Sequence, residues 1–158
     1  MRVFLGLGSN LEPETNISLA LIKLGLVFGT LEESRRYRAP AMGFIGPDFV
    51  NMVVGFRTAL SPTEVAELCQ QIEREVGRKR ELESGTCSRC IDIDLLLFEN
   101  PDISVPEPRS DIRDFAYTAK PLADIYPHWR HELTGDEPLS RYAASKVFSD
   151  QVIELVEE

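Results

Sequence analysis

Two aspartates inside an apolar run are the feature of this sequence that most limits how the chain folds. The run extends from Arg89 to Phe98 and is rich in β-branched, aliphatic and aromatic residues, as expected for a buried β-strand. Side chains alternate along a strand, so Asp92 and Asp94 lie on one face, with their Cα atoms roughly 6.5–7 Å apart. The opposite face then carries apolar side chains: Ile91, Ile93 and Leu95.

Two neighbouring carboxylates in such a strand are energetically costly, because like charges repel and burial removes their water. A divalent cation offsets both costs, and Mg²⁺ takes one or two carboxylates together with waters and phosphate oxygens. The pattern therefore predicts a metal platform at Asp92 and Asp94. The alternative is a half-exposed strand on which both side chains are simply solvated, and it stays open because D-x-D often occurs by chance.

The composition limits the class of protein and its partners. The chain has 158 residues, of which 43% are hydrophobic and 27% charged, and this suits a single soluble domain spanning residues 1–158. Three cysteines, an odd number, indicate a reducing cytoplasm rather than a disulfide framework. No apolar run reaches the roughly 20 residues of a membrane span, and the first residues read as a strand rather than a signal peptide. The net charge of −9 argues against nucleic acid or an anionic membrane as partner.

The order of the predicted elements indicates an α+β fold. In chain order they are a strand at 2–8, a helix capped by Asn16, a strand at 30–38, a strand at 49–60, a helix from Ser61 to Gly77 and the acidic strand. This is the ferredoxin-like βαββαβ arrangement, an antiparallel sheet with two helices on one face. Three weaker elements follow: a helix within 111–124, a short amphipathic helix at 138–148, and a tail from Asp150 that is a last strand or a frayed end.

Two loops carry candidate binding residues. The segment 39–47 is rich in glycine and proline but also apolar, which fits either a packed surface loop or a wall for a flat apolar ligand. The segment 78–89 is basic and leads directly into the aspartates. Because arginines bind phosphate oxygens in a fork while carboxylates hold Mg²⁺, this neighbourhood predicts a polyphosphate site. Taken alone, a run of basic residues is more often a solvated surface.

Several short segments occur in an order that covers most of the chain. They are Gly6–Leu11 with its G-S-N-L turn, Tyr37–Pro40, Pro47–Asn51, Ile72–Arg78, Arg89–Leu95 with its R-x-I-D-I-D-L pattern, Val105–Pro106 and Arg113–Leu122. Each segment is weak evidence by itself. The ordered set resembles the 6-hydroxymethyl-7,8-dihydropterin pyrophosphokinases of folate biosynthesis, whose ferredoxin-like fold agrees with the predicted order of elements.

The resemblance implies that pyrophosphate is transferred from ATP, the co-substrate, to the hydroxymethyl group of a reduced pterin, with release of AMP. It implies two Mg²⁺ ions, small-molecule partners only, and a monomer or weak dimer. The implied catalytic residues are Arg89, Asp92 and Asp94, the two aspartates being the metal ligands. The implied nucleotide-binding residues are Glu73, Arg78, Arg80, Arg89 and Arg113. The implied pterin-binding residues are Pro40, Met42, Phe49, Asn51 and Phe115, although core packing is the simpler explanation for the two phenylalanines.

Two segments depart from the family pattern. Where the family has R-W-G-P-R, this chain has Gly85-Thr86-Cys87-Ser88-Arg89, so only the last arginine matches. Where the family has V-P-H-P, Glu107 replaces a histidine that contacts the nucleotide phosphates. These departures leave a second hypothesis open, that the chain is a non-catalytic or repurposed relative that binds a pterin-like ligand.

Two cysteines and two histidines offer an alternative metal centre, a zinc site. Cys87 and Cys90 form C-x-x-C, and His128 and His131 form H-x-x-H, so the four could supply a Cys₂His₂ set. The spacing between the two pairs fits no usual zinc finger, and the sequence therefore favours the aspartates as the metal site.

Overall fold

Strand β1 (Arg2–Ser9) lies inside the sheet and pairs antiparallel on both sides. Its neighbours are β4 (Phe49–Arg57) and β5 (Asp92–Glu99). The other strands are short: β2 (Glu32–Glu33), β3 (Tyr37–Ala39) and β6 (Glu154–Leu155). The computed structural model describes residues 1–43, 45–77, 91–100 and 105–157, and within them the six strands are ordered β5-β1-β4-β3-β6, with β2 also paired to β4. Every pairing is antiparallel.

Two helices cover one face of this sheet. They are α1 (Pro13–Phe28) and α2 (Pro62–Val76), and their buried apolar side chains are Ile17, Ala20 and Leu24 from α1 with Val65, Cys69 and Ile72 from α2. The predicted capping box starts α2, because the Ser61 hydroxyl accepts a hydrogen bond from the Glu64 amide at 3.2 Å. Gly77 ends the helix with a φ of 120°, which favours glycine. The α+β, ferredoxin-like βαββαβ prediction is confirmed.

The start of α1 differs from the prediction. The helix begins at Pro13 rather than after Asn16, because proline suits the first turn of a helix, where its missing N–H leaves no hydrogen bond unmade. Glu12 precedes it in the left-handed conformation, with a φ of 42°. The side-chain Nδ2 of Asn16 instead donates to the Leu11 carbonyl at 2.6 Å and closes the turn that leads into the helix.

The predicted edge strand at 30–38 is broken into β2 and β3. The break lies at Ser34, whose amide donates to the Val53 carbonyl at 2.9 Å while its hydroxyl accepts from the Val53 amide at 2.8 Å. A side chain thus replaces one backbone partner of β4, and the regular ladder stops there. The tail forms β6, paired to β3 over two residues.

The second face of the sheet is covered in part by C-terminal helices. These are α3 (Asp111–Asp114), α4 (Ala116–Ile125) and α5 (Leu139–Ala143), with a 3-10 turn at Lys146–Phe148. The helix predicted within 111–124 is divided at Phe115, which is extended with a φ of −127°. The helix predicted at 138–148 is likewise divided, into α5 and the 3-10 turn. Among the described helices, none has the length and apolarity to cross a bilayer.

Candidate active site

The second face of the sheet holds a cavity of about 210 Å³ beside the C-terminal helices. The lining residues come from β1, β4 and β5, from the loop after β3, and from the chain around α3 and α4. Six of the residues predicted to bind metal or pterin lie in its wall: Pro40, Met42, Phe49, Asn51, Asp92 and Asp94. The fold therefore brings the predicted metal ligands and most of the predicted pterin residues into one space.

The alternation predicted for the acidic strand is confirmed. Asp92 and Asp94 face the cavity, whereas Ile91 and Ile93 are buried on the opposite face, under α1 and α2. A bulge at Leu96 then shifts the pairing, since Phe4 pairs with Leu97 but Leu5 pairs with Leu95. The bulge puts Leu96 and Leu97 into the same core cluster of the second face. One strand thus serves a polar cavity at its start and an apolar core at its end.

Asp94 carries an unusual charge environment. Burial, and next the charge of Asp92, raise the pKa of the Asp94 carboxyl from 3.8 to about 6. Asp111 and Glu73 add to the rise, and Arg109 opposes it. The side chain is still 32% exposed, so ligands can reach it from the cavity. The carboxylate is therefore costly to keep ionised without a cation.

The carboxylates of Asp92 and Asp94 suit Mg²⁺, whose coordination is completed by waters and substrate, better than a metal whose ligands all come from the protein. Within the described ranges, no three His, Cys, Asp or Glu side chains converge in the way a closed metal site requires. Mg²⁺ is commonly held by one or two carboxylates, with waters and substrate phosphates as the other ligands. A pair of aspartates that share one face of a rigid strand meets that requirement.

Asn51 presents a buried hydrogen-bond donor to the cavity. The residue is 8% exposed, and its Nδ2 has no hydrogen-bond partner among the described residues. An unpaired buried amide costs about 1–3 kcal/mol, which a ligand acceptor would recover. Gly8 lies opposite Asn51 in the sheet, and a Cβ at Gly8 would lie 2.9 Å from Asn51 Oδ1. Glycine is therefore required for the amide to keep its position.

Two aromatic rings line the cavity, and one of them differs from the prediction. Phe49 of β4 lies in the wall as predicted, and Tyr117 of α4 lies there too. Phe115 is not among the lining residues. Its ring stacks on Tyr117, with centroids 4.9 Å apart and planes 15° apart. Burial, and next the charge of Asp111, raise the pKa of the Tyr117 hydroxyl to about 12, so the hydroxyl is neutral at physiological pH.

Comparison with known families adds to this geometry. Residues 4–127 match the family described as 7,8-dihydro-6-hydroxymethylpterin-pyrophosphokinase (HPPK). The chain belongs to the HPPK family. It is 38% identical over 139 residues to the 2-amino-4-hydroxy-6-hydroxymethyldihydropteridine pyrophosphokinase of Porphyromonas gingivalis, which covers 82% of this chain and 92% of that protein. It is also 36% identical to enzymes with the same name from Bacillus subtilis and Pseudomonas aeruginosa. The first alignment covers 85% of this chain and 83% of that protein, and the second covers 82% of this chain and 83% of that protein.

Three arginines that the HPPK resemblance assigns to the nucleotide and its phosphates, Arg78, Arg80 and Arg89, lie outside the described residues. The same holds for Cys87 and Cys90 of the zinc alternative. His131, from the other half of that alternative, accepts a hydrogen bond at Nδ1 from the Leu133 amide at 3.1 Å.

Two further residues, to which the HPPK resemblance assigns nucleotide binding, lie away from the cavity wall. Glu73 is only 1% exposed, on the other face of the sheet, and its Oε2 accepts a hydrogen bond from the Ile93 amide at 3.1 Å. It fixes the backbone between the two aspartates from behind. Arg113 is on the surface, where its Nε donates to Asp114 at 2.8 Å.

Glu107, which replaces a histidine of the HPPK pattern, does not line the cavity. Its side chain is 91% exposed, and its Oε2 lies 4.0 Å from Nε2 of His131. The carboxylate is therefore directed to solvent, and its charge does not add to the acidic cavity wall.

The sequence reasoning missed two charged residues of the HPPK cavity. Arg109 and Asp111 lie in the wall beside Asp94. Arg109 Nε is 3.2 Å from Asp111 Oδ2, and Arg109 Nη2 is 4.0 Å from Asp94 Oδ1. Arg109 directly follows the V-P-E-P segment and Asp111 comes two residues later, so their position beside this segment was the available signal. Tyr117 was missed as well, although it stands two residues after the predicted Phe115.

Proposed function

We propose that this HPPK-family protein transfers pyrophosphate from ATP to the hydroxymethyl group of 6-hydroxymethyl-7,8-dihydropterin and releases AMP. The observation that carries the proposal is one cavity containing both a buried, unpaired amide donor at Asn51 and the carboxylate pair of Asp92 and Asp94. A reduced pterin is a flat ring with hydrogen-bonding edges, so it suits a narrow cavity with aromatic walls. The names of the related enzymes specify the same substrate.

The pterin is placed by side chains of the cavity wall. Asn51 donates its unpaired N–H to an acceptor on the ring edge, and this recovers the cost of burying the amide. Phe49 and Tyr117 offer their rings to the pterin, and Phe115 supports Tyr117 from behind. Pro40 and Met42, from the loop after β3, form the remaining apolar wall. The predicted stacking of Phe115 on the pterin is thus transferred in this proposal to Tyr117.

The reaction is a displacement at the β-phosphorus of ATP. The hydroxymethyl oxygen forms a bond to this phosphorus while the bond to the oxygen that bridges the α- and β-phosphorus atoms breaks. AMP departs with the electron pair of the broken bond, and the hydroxyl proton passes to solvent water. Such transfers depend mainly on positioning and on neutralising charge. Asp92 and Asp94 would hold the two proposed Mg²⁺ ions, which would supply positive charge for the triphosphate.

The nucleotide assignments of the sequence remain proposals. Arg78, Arg80 and Arg89 bind phosphate oxygens in this scheme, with Arg89 closest along the chain to the metal ligands. Glu73 and Arg113 remain assigned to the nucleotide, although neither lines the described cavity. We further propose that residues 1–158 act as one domain, as a monomer or weak dimer in the cytoplasm.

The test is AMP release by the purified protein supplied with ATP, Mg²⁺ and 6-hydroxymethyl-7,8-dihydropterin. Asp92→Ala and Asp94→Ala are each expected to abolish turnover while pterin affinity, measured by fluorescence titration, stays within about threefold. Asp150→Ala, which changes an exposed aspartate outside the cavity wall, is the matched control and keeps wild-type turnover. If the wild-type protein binds pterin but releases no AMP, the transferase proposal is refuted and a non-catalytic pterin binder is favoured. Near-normal turnover by either cavity variant would refute the metal assignment alone.

A further inference from the structure

Arg109 stands out because it is the only cationic side chain among the described residues that line the cavity. The same wall carries the carboxylates of Asp92, Asp94 and Asp111, so without further cations the cavity is acidic. A polyphosphate can enter such a cavity only if positive charge is placed where the phosphates lie. Mg²⁺ held by the aspartates would supply part of that charge, and Arg109 lies beside Asp94.

Two contacts fix the position of the Arg109 guanidinium. Its backbone amide donates to the Leu96 carbonyl at 2.9 Å, which fixes the start of the side chain against β5. Its Nε is paired with Asp111 in the first turn of α3, at 3.2 Å. The 4.0 Å between Nη2 and Asp94 Oδ1 is too long for a hydrogen bond, so this contact is one of charge only. The terminal Nη groups therefore keep donors for a ligand, and the side chain is 46% exposed.

We infer that Arg109 binds the phosphate chain of the nucleotide beside the metal, and that Asp111 is the positioning residue that holds its guanidinium. The inference rests on the proposed function. Arg109 would use its terminal N–H groups to bind phosphate oxygens in a fork, because a cation held at Asp94 would neutralise the carboxylate that otherwise attracts the guanidinium. Glu107, at the family's phosphate-binding position, is turned to solvent, so Arg109 supplies the cation two residues further along.

The test measures binding rather than turnover alone. The probe is α,β-methylene-ATP with Mg²⁺, in which the bond that breaks in the reaction is blocked, and its affinity is measured by isothermal titration calorimetry. Arg109→Gln keeps most of the side-chain length but removes the charge, and is expected to weaken probe binding by about 10–100-fold. Arg109→Lys is expected to recover part of the loss. Pterin affinity stays within about twofold in both variants.

Asp111→Asn separates positioning from a general structural role. It is expected to weaken probe binding by about 3–10-fold in the wild-type background, because the guanidinium loses its anchor, but to have no further effect when combined with Arg109→Gln. Arg141→Gln is the matched control: Arg141 is 74% exposed, is paired with Glu137 outside the cavity wall, and its change leaves probe binding unaltered. Thermal unfolding checks that each variant is folded.

Three results would overturn the inference. The first is wild-type probe affinity in Arg109→Gln, and the second is an equal loss of pterin and probe affinity, which would make Arg109 a structural residue. The third is full additivity of Asp111→Asn with Arg109→Gln, which would remove the positioning role. If the wild-type protein releases AMP and Arg109→Gln binds the probe normally, only the inference fails. If Arg109→Gln weakens probe binding as expected but the wild-type protein releases no AMP, the proposed reaction is refuted and the inference about Arg109 stands.

Discussion

Asp94→Asn is expected to stabilise the metal-free protein at neutral pH while removing its response to Mg²⁺. The substitution keeps the shape of the side chain but removes a charge that burial and Asp92 disfavour. A carboxyl whose pKa rises from 3.8 to about 6 on folding costs at most about 3 kcal/mol when it is ionised. Because the side chain is 32% exposed and solvent screens the repulsion, we expect about 1–2 kcal/mol.

The pH dependence has a definite sign. The folded state holds the proton of Asp94 more tightly than the unfolded state, so the stability that this proton provides is present below about pH 4. It is lost as the pH rises through about 6. The free energy of unfolding of the variant should therefore exceed that of the wild type at pH 8, and the difference should be roughly half as large at pH 5.

The assay is urea and thermal unfolding in EDTA between pH 5 and pH 8, with Asp150→Asn as the exposed control. For a chain of this size the expected gain is a rise in Tm of roughly 2–8 °C at pH 8. Addition of Mg²⁺ with α,β-methylene-ATP should then stabilise the wild type but not the variant, because the variant lacks one carboxylate of the proposed metal site. A variant that is no more stable than wild type at pH 8, or that gains equally at pH 5 and pH 8, would refute the reasoning about the charge.

Three further changes test the cavity and the sheet. Gly8→Ala places a Cβ 2.9 Å from Asn51 Oδ1 and should raise KM for the pterin by about 10-fold or more, with KM for ATP unchanged. Steady-state kinetics with each substrate varied measures the two KM values, and an equal rise in both would contradict this prediction. Tyr117→Ala should weaken pterin binding by about 10-fold, whereas Tyr117→Phe should keep wild-type affinity. Fluorescence titration measures both affinities, and an equal loss of affinity in the two variants would exclude a contact between the ring and the pterin. Ser34→Ala leaves the Val53 amide unpaired and should lower the free energy of unfolding by about 1–3 kcal/mol in urea, with activity per folded molecule retained.

The sequence predicted those features that arise from local periodicity and turn chemistry. The faces of Asp92 and Ile93 follow from alternation along a strand, and the Ser61 capping box follows from its spacing to Glu64. The order of strands and helices was sufficient for the ferredoxin-like βαββαβ fold class, an antiparallel sheet with two helices on one face. Most of the predicted pterin residues also lie in the cavity wall.

Features that depend on contacts between distant parts of the chain could not be predicted in the same way. The break at Ser34 needs the facing Val53, and the bulge at Leu96 needs the pairing with β1. Phe115 and Tyr117 are both aromatic and two residues apart, so only the start of α4 decides which ring reaches the cavity. Arg109 was hidden for a related reason, since its role depends on Asp94 from another element.

The hydrogen bond between Glu73 and the Ile93 amide also bears on the solubility of the protein. In the described part of the sheet β5 is an outer strand, and its strand partner is β1. An outer strand with open backbone groups can pair with a second molecule and begin aggregation. Here Glu73 occupies the Ile93 N–H and the Arg109 amide occupies the Leu96 carbonyl, so two groups of the strand are already bonded within the chain. The strand that carries the proposed metal ligands is thereby also protected against edge-to-edge association.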